Sequence, residues 1–192
     1  AGREFDLALV ADLAGATDGL DDLLESGLLV EVAPGRGAFR HPLIRDAIYS
    51  DMSWARRRLL HRQMAERLQG DGAPPLAIAR HWLAAHEPEH VRWAYLAASQ
   101  QACAIHAYRD AAEAAHQALN LWPNGVDEAQ RLDVLDQFAQ CAQLSGQLSE
   151  AARAWREVAE GRRHAGDARG YALAERQLAN VAEMQGHWET AL

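Results

Sequence analysis

Apolar side chains recur every three or four residues through the second half of the chain, the spacing of a helix that buries one face. The stripes cover residues 91–105, 111–122, 132–142, 148–158 and 171–182. They predict five consecutive helices. Many of the striped positions are alanine, which predicts that neighbouring helices pack closely.

A six-residue phrase occurs three times in this region at a constant spacing. It reads HAYRDA at 106–111, GQLSEA at 146–151 and GHWETA at 186–191, a fixed period of forty. Each copy has a turn-compatible residue, a bulky apolar residue two positions later and an alanine at its end. Self-similarity at such a period indicates an α-solenoid of stacked helix pairs.

The phrase resembles the tetratricopeptide repeat, whose usual period is about 34 residues. In the first copy Ala118, Leu119 and Pro123 stand where that family has an alanine, a leucine and a terminating proline. The second copy has Val158 and Ala159 there and no proline. The resemblance covers roughly residues 89–192, and the longer period implies helices longer than the standard ones.

In the tetratricopeptide family the first helix of each pair lines a concave surface. Amide side chains recur on the polar sides of these helices. They are Gln100, Gln101, Gln137, Gln140, Gln143, Gln177 and Asn180. They indicate either a groove for a peptide or small effector, or an ordinary solvated surface.

Residues 1–70 follow a different pattern. It predicts helices at 4–14 and 19–26, the second capped by Thr17 or Asp18 and closed by Gly27. Strands at 28–32 and 38–40 follow, joined by a turn at 34–37. Two helices followed by a hairpin form the core of a winged helix, so the predicted fold is mainly α, with a small winged-helix domain before the solenoid.

The predicted second helix is a poor candidate for reading DNA. Its exposed positions are Asp18, Asp21, Asp22 and Glu25, and the net charge of the chain is −8. Carboxylates repel a phosphate backbone. We therefore expect a winged helix that packs against protein and does not bind DNA.

Residues 39–49 resemble the segment that follows the nucleotide-binding core of MalT-like, LuxR-family signal-transducing ATPases. There a phenylalanine, a histidine, a leucine pair, an arginine–acid pair and a tyrosine precede an arginine-rich helix with a histidine. The matching residues here are Phe39, His41, Leu43, Ile44, Arg45, Asp46, Tyr49 and, in the helix at 54–68, His61. The pair His81–Trp82 fits the same relatives.

His41 also occupies the histidine position of the Met-His-Asp motif of apoptotic and plant-immunity NTPases, with Arg40 and Pro42 in place of the methionine and aspartate. In those relatives the histidine contacts the β-phosphate of ADP. The resemblance implies that His41 senses ADP bound to a neighbouring ATPase domain. The alternative is that His41 only caps or packs at the strand–helix junction.

Two further patterns are assigned structural roles. The arginines of residues 54–68 favour a solvated face, or pairing with the acidic second helix, over nucleic-acid binding. The sequence HEPEH at 86–90 matches a zinc-protease pattern, but Pro88 breaks the continuous helix that such a site needs. We therefore predict no metal site at 86–90.

Residues 70–75 form a linker rich in glycine and proline. The predicted domains are 1–70 (winged helix and arginine-rich helix), 71–88 (linker and connecting helix) and 89–192 (repeats, truncated). Cys103 and Cys141 are too few for a disulfide framework and indicate buried thiols in a reducing compartment. No apolar run is long enough to span a membrane, and both ends have the appearance of a fragment.

The sequence contains no phosphate loop, nucleophile–base set or metal set, so we predict no catalytic residue and no cofactor in this segment. The resemblance implies a bacterial, cytoplasmic regulator of transcription in which ATP or ADP binds a separate ATPase domain. The segment would couple an effector or protein partner on the repeats to that nucleotide switch. The alternative is a protein-binding repeat scaffold without a nucleotide switch.

Overall fold

A computed structural model describes residues 4–15 and 18–186. In this part the chain is mainly helical, with one small three-stranded antiparallel sheet. The chain divides into two compact units, Ala1–Arg67 and Leu68–Leu192. Within the described residues, no helix is long and apolar enough to cross a membrane.

The first unit contains the sheet and short helices. Its strands are β1 (Glu4–Asp6), β2 (Leu29–Ala33) and β3 (Arg36–Phe39), in the order β1-β3-β2. Its helices are α1 (Leu7–Ala14), α2 (Asp18–Glu25), α3 (Pro42–Asp51) and most of α4 (Trp54–Gly70). The helix expected at 19–26 and the hairpin are therefore confirmed to within one or two residues at most boundaries.

The expectation of a single helix at 4–14 is wrong at its beginning. Glu4, Phe5 and Asp6 pair with β3, and the Asp6 side chain accepts a hydrogen bond from Leu9 N at 3.0 Å as the N-cap of α1. Phe5 lies opposite Gly37, where a Cβ would come within 3.0 Å of the Phe5 ring. A glycine therefore lets β1 lie against β3.

The second unit is a series of helices. They are α5 (Pro75–Ala84), α6 (Pro88–Ala104), α7 (Tyr108–Asn120), α8 (Glu128–Leu144), α9 (Leu148–His164) and α10 (Ala168–Met184). From α6 onwards these begin at a constant period. The helices α6, α8 and α10 have equal lengths and begin at positions 88, 128 and 168. The helices α7 and α9 begin at positions 108 and 148, which is the same period. The five helices expected from the stripes are therefore confirmed.

The turns of this unit repeat as well. Left-handed residues follow successive helices at His86, His106, Gly146, Gly166 and Gly186, with φ between 55° and 80°. At Gly146 the backbone N–H donates to Gln143 O, and the next N–H, of Gln147, donates to Ala142 O. This pair of bonds satisfies the last carbonyls of a helix and forms the Schellman motif. Residues 187–191 of the third phrase lie outside the described residues.

The end of α7 departs from this pattern because of Pro123. Proline has no N–H to donate back to the helix. The helix instead ends at Asn120, and Trp122 Nε1 donates to Val126 O at 2.8 Å across the connection. Asp127, with φ of 51°, then precedes α8. With proline at this position, a longer loop takes the place of the short turn. The hydrogen bond of the Trp122 indole stabilises this loop.

The core of the second unit is built from the predicted stripes. Its largest cluster joins α7, α8, α9 and α10 through small residues and a few large ones, among them Phe138, Trp155 and Val158. One striped residue is misplaced, since Ile105 is 73% exposed. Ile105 is the C-cap of α6, directly before the left-handed His106, so the backbone has already left the helical path there.

Candidate functional site

The junction between β3 and α3 places His41 directly before Pro42, the first residue of α3. His41 is extended, with φ of −124° and ψ of 115°, and its side chain is exposed. Its carbonyl accepts from Ile44 N at 3.0 Å, but within the described residues its imidazole makes no capping hydrogen bond. Capping by the imidazole is therefore wrong as an interpretation, and the phosphate-sensing role stays a prediction.

A hydrogen bond between aromatic side chains connects α3 to α4 in the same unit. Tyr49 Oη and His61 Nε2 are 2.9 Å apart, and their rings meet edge to face at a centroid distance of 6.0 Å. The Arg57 guanidinium lies 5.3 Å from the centre of the Tyr49 ring. Burial lowers the pKa of His61 below its usual value, which favours the neutral imidazole at pH 7.

One open recess of about 300 Å³ is lined by Tyr49, His61 and the Arg45–Asp46 pair. Arg45 donates to Asp46 Oδ1 from Nη2 at 2.6 Å and from Nε at 2.9 Å. Such a pair at the surface adds little stability. The recess presents the phenol of Tyr49, the guanidinium of Arg45 and the largely neutral imidazole of His61. These groups suit a polar ligand that both donates and accepts hydrogen bonds.

Arg45, Asp46 and Tyr49 belong to the segment at 39–49 that carries the MalT-like resemblance, and His61 is the histidine of the arginine-rich helix that follows it. In the sequence these residues form a recurring pattern in which only His41 has an expected role. Helical spacing accounts only for Arg45 and Tyr49, which are four residues apart and face the same side of α3. The contact of Tyr49 with His61 depends on how α3 packs against α4, which the pattern does not encode.

The arginines of α4 have mixed surroundings. Arg67 pairs with Asp12 at 3.1 Å and Arg62 with Glu66 at 3.1 Å. The Arg58 guanidinium lies 5.5 Å from the Trp54 ring. One acidic partner of Arg67 therefore lies in α1, whereas the sequence favoured a solvated face or pairing with α2. Trp54, Leu59 and Leu60 are substantially exposed on the same helix, so this surface combines charge with apolar area.

The recurring amides of the second unit divide into two groups. Gln100, Gln101, Gln140 and Asn180 are exposed, and Asn180 donates to Gln177 of its own helix at 3.2 Å. Gln137 Nε2 instead lies 3.5 Å from Ser99 Oγ, and Gln143 accepts a hydrogen bond from Trp155 Nε1 at 3.0 Å. The second group holds helices together, so the exposed amides are the better candidates for contacting a ligand.

The HEPEH segment is confirmed as a break between helices. The helix α5 ends at Ala84 and α6 begins at Pro88, with the left-handed His86 between them. His90 stacks on Trp82 with ring centres 4.3 Å apart. In the described part of the chain no group of three or more histidine, cysteine or acidic side chains has the proximity that a metal site needs.

Comparison with protein-family models and with curated proteins finds no match to this chain.

Proposed function

We propose that this chain is the regulatory segment of a signal-transducing ATPase that controls transcription in a bacterial cytoplasm. On this proposal the first unit is a winged helix that contacts a separate nucleotide-binding domain. The second unit is a tetratricopeptide-like solenoid that receives an effector or a protein partner. ATP or ADP binds the nucleotide domain, and the segment itself binds no DNA and catalyses no reaction.

The observation that supports this proposal most is the recess of Arg45, Asp46, Tyr49 and His61. These side chains carry the MalT-like resemblance, and they lie together on one surface. His41 precedes the same helix α3 and is exposed, so it is accessible to a neighbouring domain. The acidic positions Asp21, Asp22 and Glu25 of α2 are also exposed, which argues against a phosphate-backbone contact there.

A switch of this kind requires that each ligand distinguishes two states of the protein. With ADP bound, His41 would donate a hydrogen bond to a phosphate oxygen and favour a closed arrangement. A partner on the repeats would favour the open arrangement by binding it more tightly. A hydrogen bond to a charged group contributes roughly 1.5–3 kcal/mol, which is enough to change ADP affinity by at least tenfold.

The release of ADP from the full-length parent protein tests this role. The protein is loaded with a fluorescent ADP analogue and chased with excess unlabelled ADP. We expect His41→Ala to release the analogue at least about tenfold faster than the unaltered protein. Ser50→Ala, at an exposed position on α3, is the matched control and should leave the rate unchanged. An unchanged rate for His41→Ala would exclude the sensor role.

The exposed amides support a second candidate function, a protein-binding repeat scaffold without a nucleotide switch. Gln100, Gln101 and Gln140 lie on first helices of successive pairs, where their amides are available to a peptide backbone. The two functions differ in one measurable respect. A scaffold binds its partner with the same affinity whether the parent protein is loaded with ADP, ATP or no nucleotide.

A further inference from the structure

Cys103 and Cys141 lie against each other although they are 38 residues apart in sequence. Their sulfur atoms are 4.0 Å apart, with the Cys141 thiol positioned to donate to Cys103. In the described part of the chain both are free thiols. Cys141 is buried in the main core cluster, and Cys103 packs at its edge with part of its surface exposed.

The approach of the two sulfurs is set by helices and not by a loop. Cys103 lies in α6 and Cys141 in α8. One turn earlier on both helices, Ser99 contacts Gln137, and these residues are also 38 positions apart. Ser99 is buried and donates to Ala111 O at 2.9 Å, which fixes its own position. Two contacts with the same register therefore hold α6 beside α8 over this length.

We propose that Cys103 and Cys141 are a modification site, at which a low-molecular-weight disulfide oxidises the two thiols to a reversible intramolecular disulfide. A disulfide bond is about 2.05 Å long, so the sulfurs must approach by about 2 Å more. The Cys103 side chain, which is partly exposed, must rotate to make this approach. The crosslink joins the first helix of one pair to the first helix of the next.

The oxidation takes place in two exchange steps. The Cys103 thiolate attacks one sulfur of the small disulfide, which forms a mixed disulfide and releases one small thiolate. The Cys141 thiolate then attacks the Cys103 sulfur, which forms the Cys103–Cys141 bond and releases the second small thiolate. The two cysteine protons pass to the released thiolates or to buffer. Two protein thiols are thus oxidised while one small disulfide is reduced to two thiols.

The exposure of Cys103 and the burial of Cys141 determine the order and the rate of these two steps. Cys103 is the thiol that an oxidant in solution can reach. Burial, together with the adjacent Cys103, raises the pKa of Cys141 to about 12. Because only the thiolate attacks, the second step is slow at neutral pH and becomes faster as the pH rises. The mixed disulfide on Cys103 is therefore the expected intermediate.

Mass spectrometry of the whole chain treated with oxidised glutathione tests this site. Samples of the reduced protein are quenched with an alkylating agent under denaturing conditions at successive times. We expect a glutathione adduct on Cys103 first, followed by a species without adduct that has lost two hydrogen atoms and takes up no alkylating agent. Peptide mapping should identify a Cys103–Cys141 crosslink, and the oxidised chain should unfold at a higher temperature than the reduced chain.

Single-cysteine variants provide the controls. Cys141→Ala should stop at the glutathione adduct, and Cys103→Ser should form an adduct at least about tenfold more slowly, because Cys141 is buried. Alanine is used at position 141 because a hydroxyl there would be buried in the core, and circular dichroism confirms that each variant is folded. The proposal is overturned if the unaltered chain retains the adduct on Cys103 while Cys141 remains alkylatable, or if the crosslinks form only between chains.

Discussion

Tyr49 and His61 connect α3 to α4 through a hydrogen bond of 2.9 Å between the phenol oxygen and Nε2. The bond closes one side of the recess that Arg45 and Asp46 complete. His61 is partly buried there, and burial lowers its pKa from the usual value of 6.5. This relationship makes the first unit sensitive to pH in a direction that can be tested.

Acidification should destabilise the first unit through His61. Because its pKa is lower in the folded state, the unfolded chain takes up a proton first as the pH falls through 6.5. The loss of stability reaches its full size once the pH is below the pKa of His61 in the folded state. Urea unfolding is measured at pH 7.5 and 5, with hydrogen exchange in α3 and α4 as the readout. The loss of stability on acidification should be smaller for His61→Gln than for the unaltered chain. An equal loss in both proteins would contradict this assignment.

Removing the Tyr49 hydroxyl should weaken the contact between α3 and α4 without changing the charge of either helix. Tyr49→Phe deletes the hydrogen bond to His61 and leaves the ring in place. We expect a loss of about 1 kcal/mol in the free energy of unfolding of the first unit, measured by urea denaturation. Tyr95→Phe, at a half-buried position in the second unit, is the control and should leave the first unit unaffected. A loss of stability in the first unit below about 0.2 kcal/mol for Tyr49→Phe would show that the bond contributes nothing.

Gly161 in α9 allows close contact with Leu132 in α8. A Cβ at Gly161 would lie 2.9 Å from Leu132 Cδ1 and closer still to Cδ2, and Leu132 is buried. Alanine usually stabilises a helix interior by about 1 kcal/mol relative to glycine. Here we expect Gly161→Ala to destabilise the second unit by about 1–2 kcal/mol, because the core must shift.

The matched control for this prediction is Arg156→Ala, at an exposed position on the same helix. It should change the free energy of unfolding by less than about 0.5 kcal/mol. Thermal unfolding of both variants is the measurement. A stabilised Gly161→Ala protein would show that α8 and α9 are less closely packed than described.

His106 occupies a left-handed position, with φ of 60°, where other turns of the second unit have glycine. Its Nδ1 lies 2.8 Å from Tyr108 Oη. Replacement by either glycine or alanine removes this contact, so the difference between the two variants reports the cost of a Cβ in the left-handed region, reduced by the larger conformational entropy that glycine loses on folding. We expect His106→Gly to be more stable than His106→Ala by about 1 kcal/mol in chemical denaturation. Equal stabilities would indicate that the turn is not left-handed.

Asp136 in α8 should make the second unit less stable as the pH rises. Burial raises its pKa from 3.8, although Arg162 opposes the shift. The folded state therefore holds its proton more tightly, and stability is lost as the pH rises from 3.8 through the folded value. Asp136→Asn should be more stable than the unaltered chain at pH 7, and the difference should shrink toward pH 3. A variant that is less stable at pH 7 would indicate that the attraction to Arg162 dominates.

Much of the second unit could be predicted from its sequence because one signal is repeated. The apolar stripes located the helices, and Gly146 marked a turn between them. The structure also has a period half as long, which the sequence did not reveal. It is seen in the left-handed residues, which recur at equal intervals through Gly146, Gly166 and Gly186. The first positions of this series are His86 and His106, and histidine adopts the left-handed conformation less often than glycine, so the shorter period is not obvious from the sequence.

The first unit was harder to predict because its elements are short. Glu4, Phe5 and Asp6 form a strand through pairing with β3, and such pairing depends on residues distant in sequence. Helical periodicity alone assigned these residues to α1. The recess was missed for the same reason, because the position of His61 beside Tyr49 follows from packing between helices. His41 could be identified by its motif, but its exposure could not.

We propose above that this chain belongs to a nucleotide-controlled regulator. The most direct test is the nucleotide content of the full-length parent protein, purified without added nucleotide, denatured and separated by chromatography. We expect stoichiometric ADP, with less ADP retained by the His41→Ala protein. A parent protein that carries no adenine nucleotide and binds none when ADP or ATP is added would contradict the switch and leave the repeat scaffold as the function.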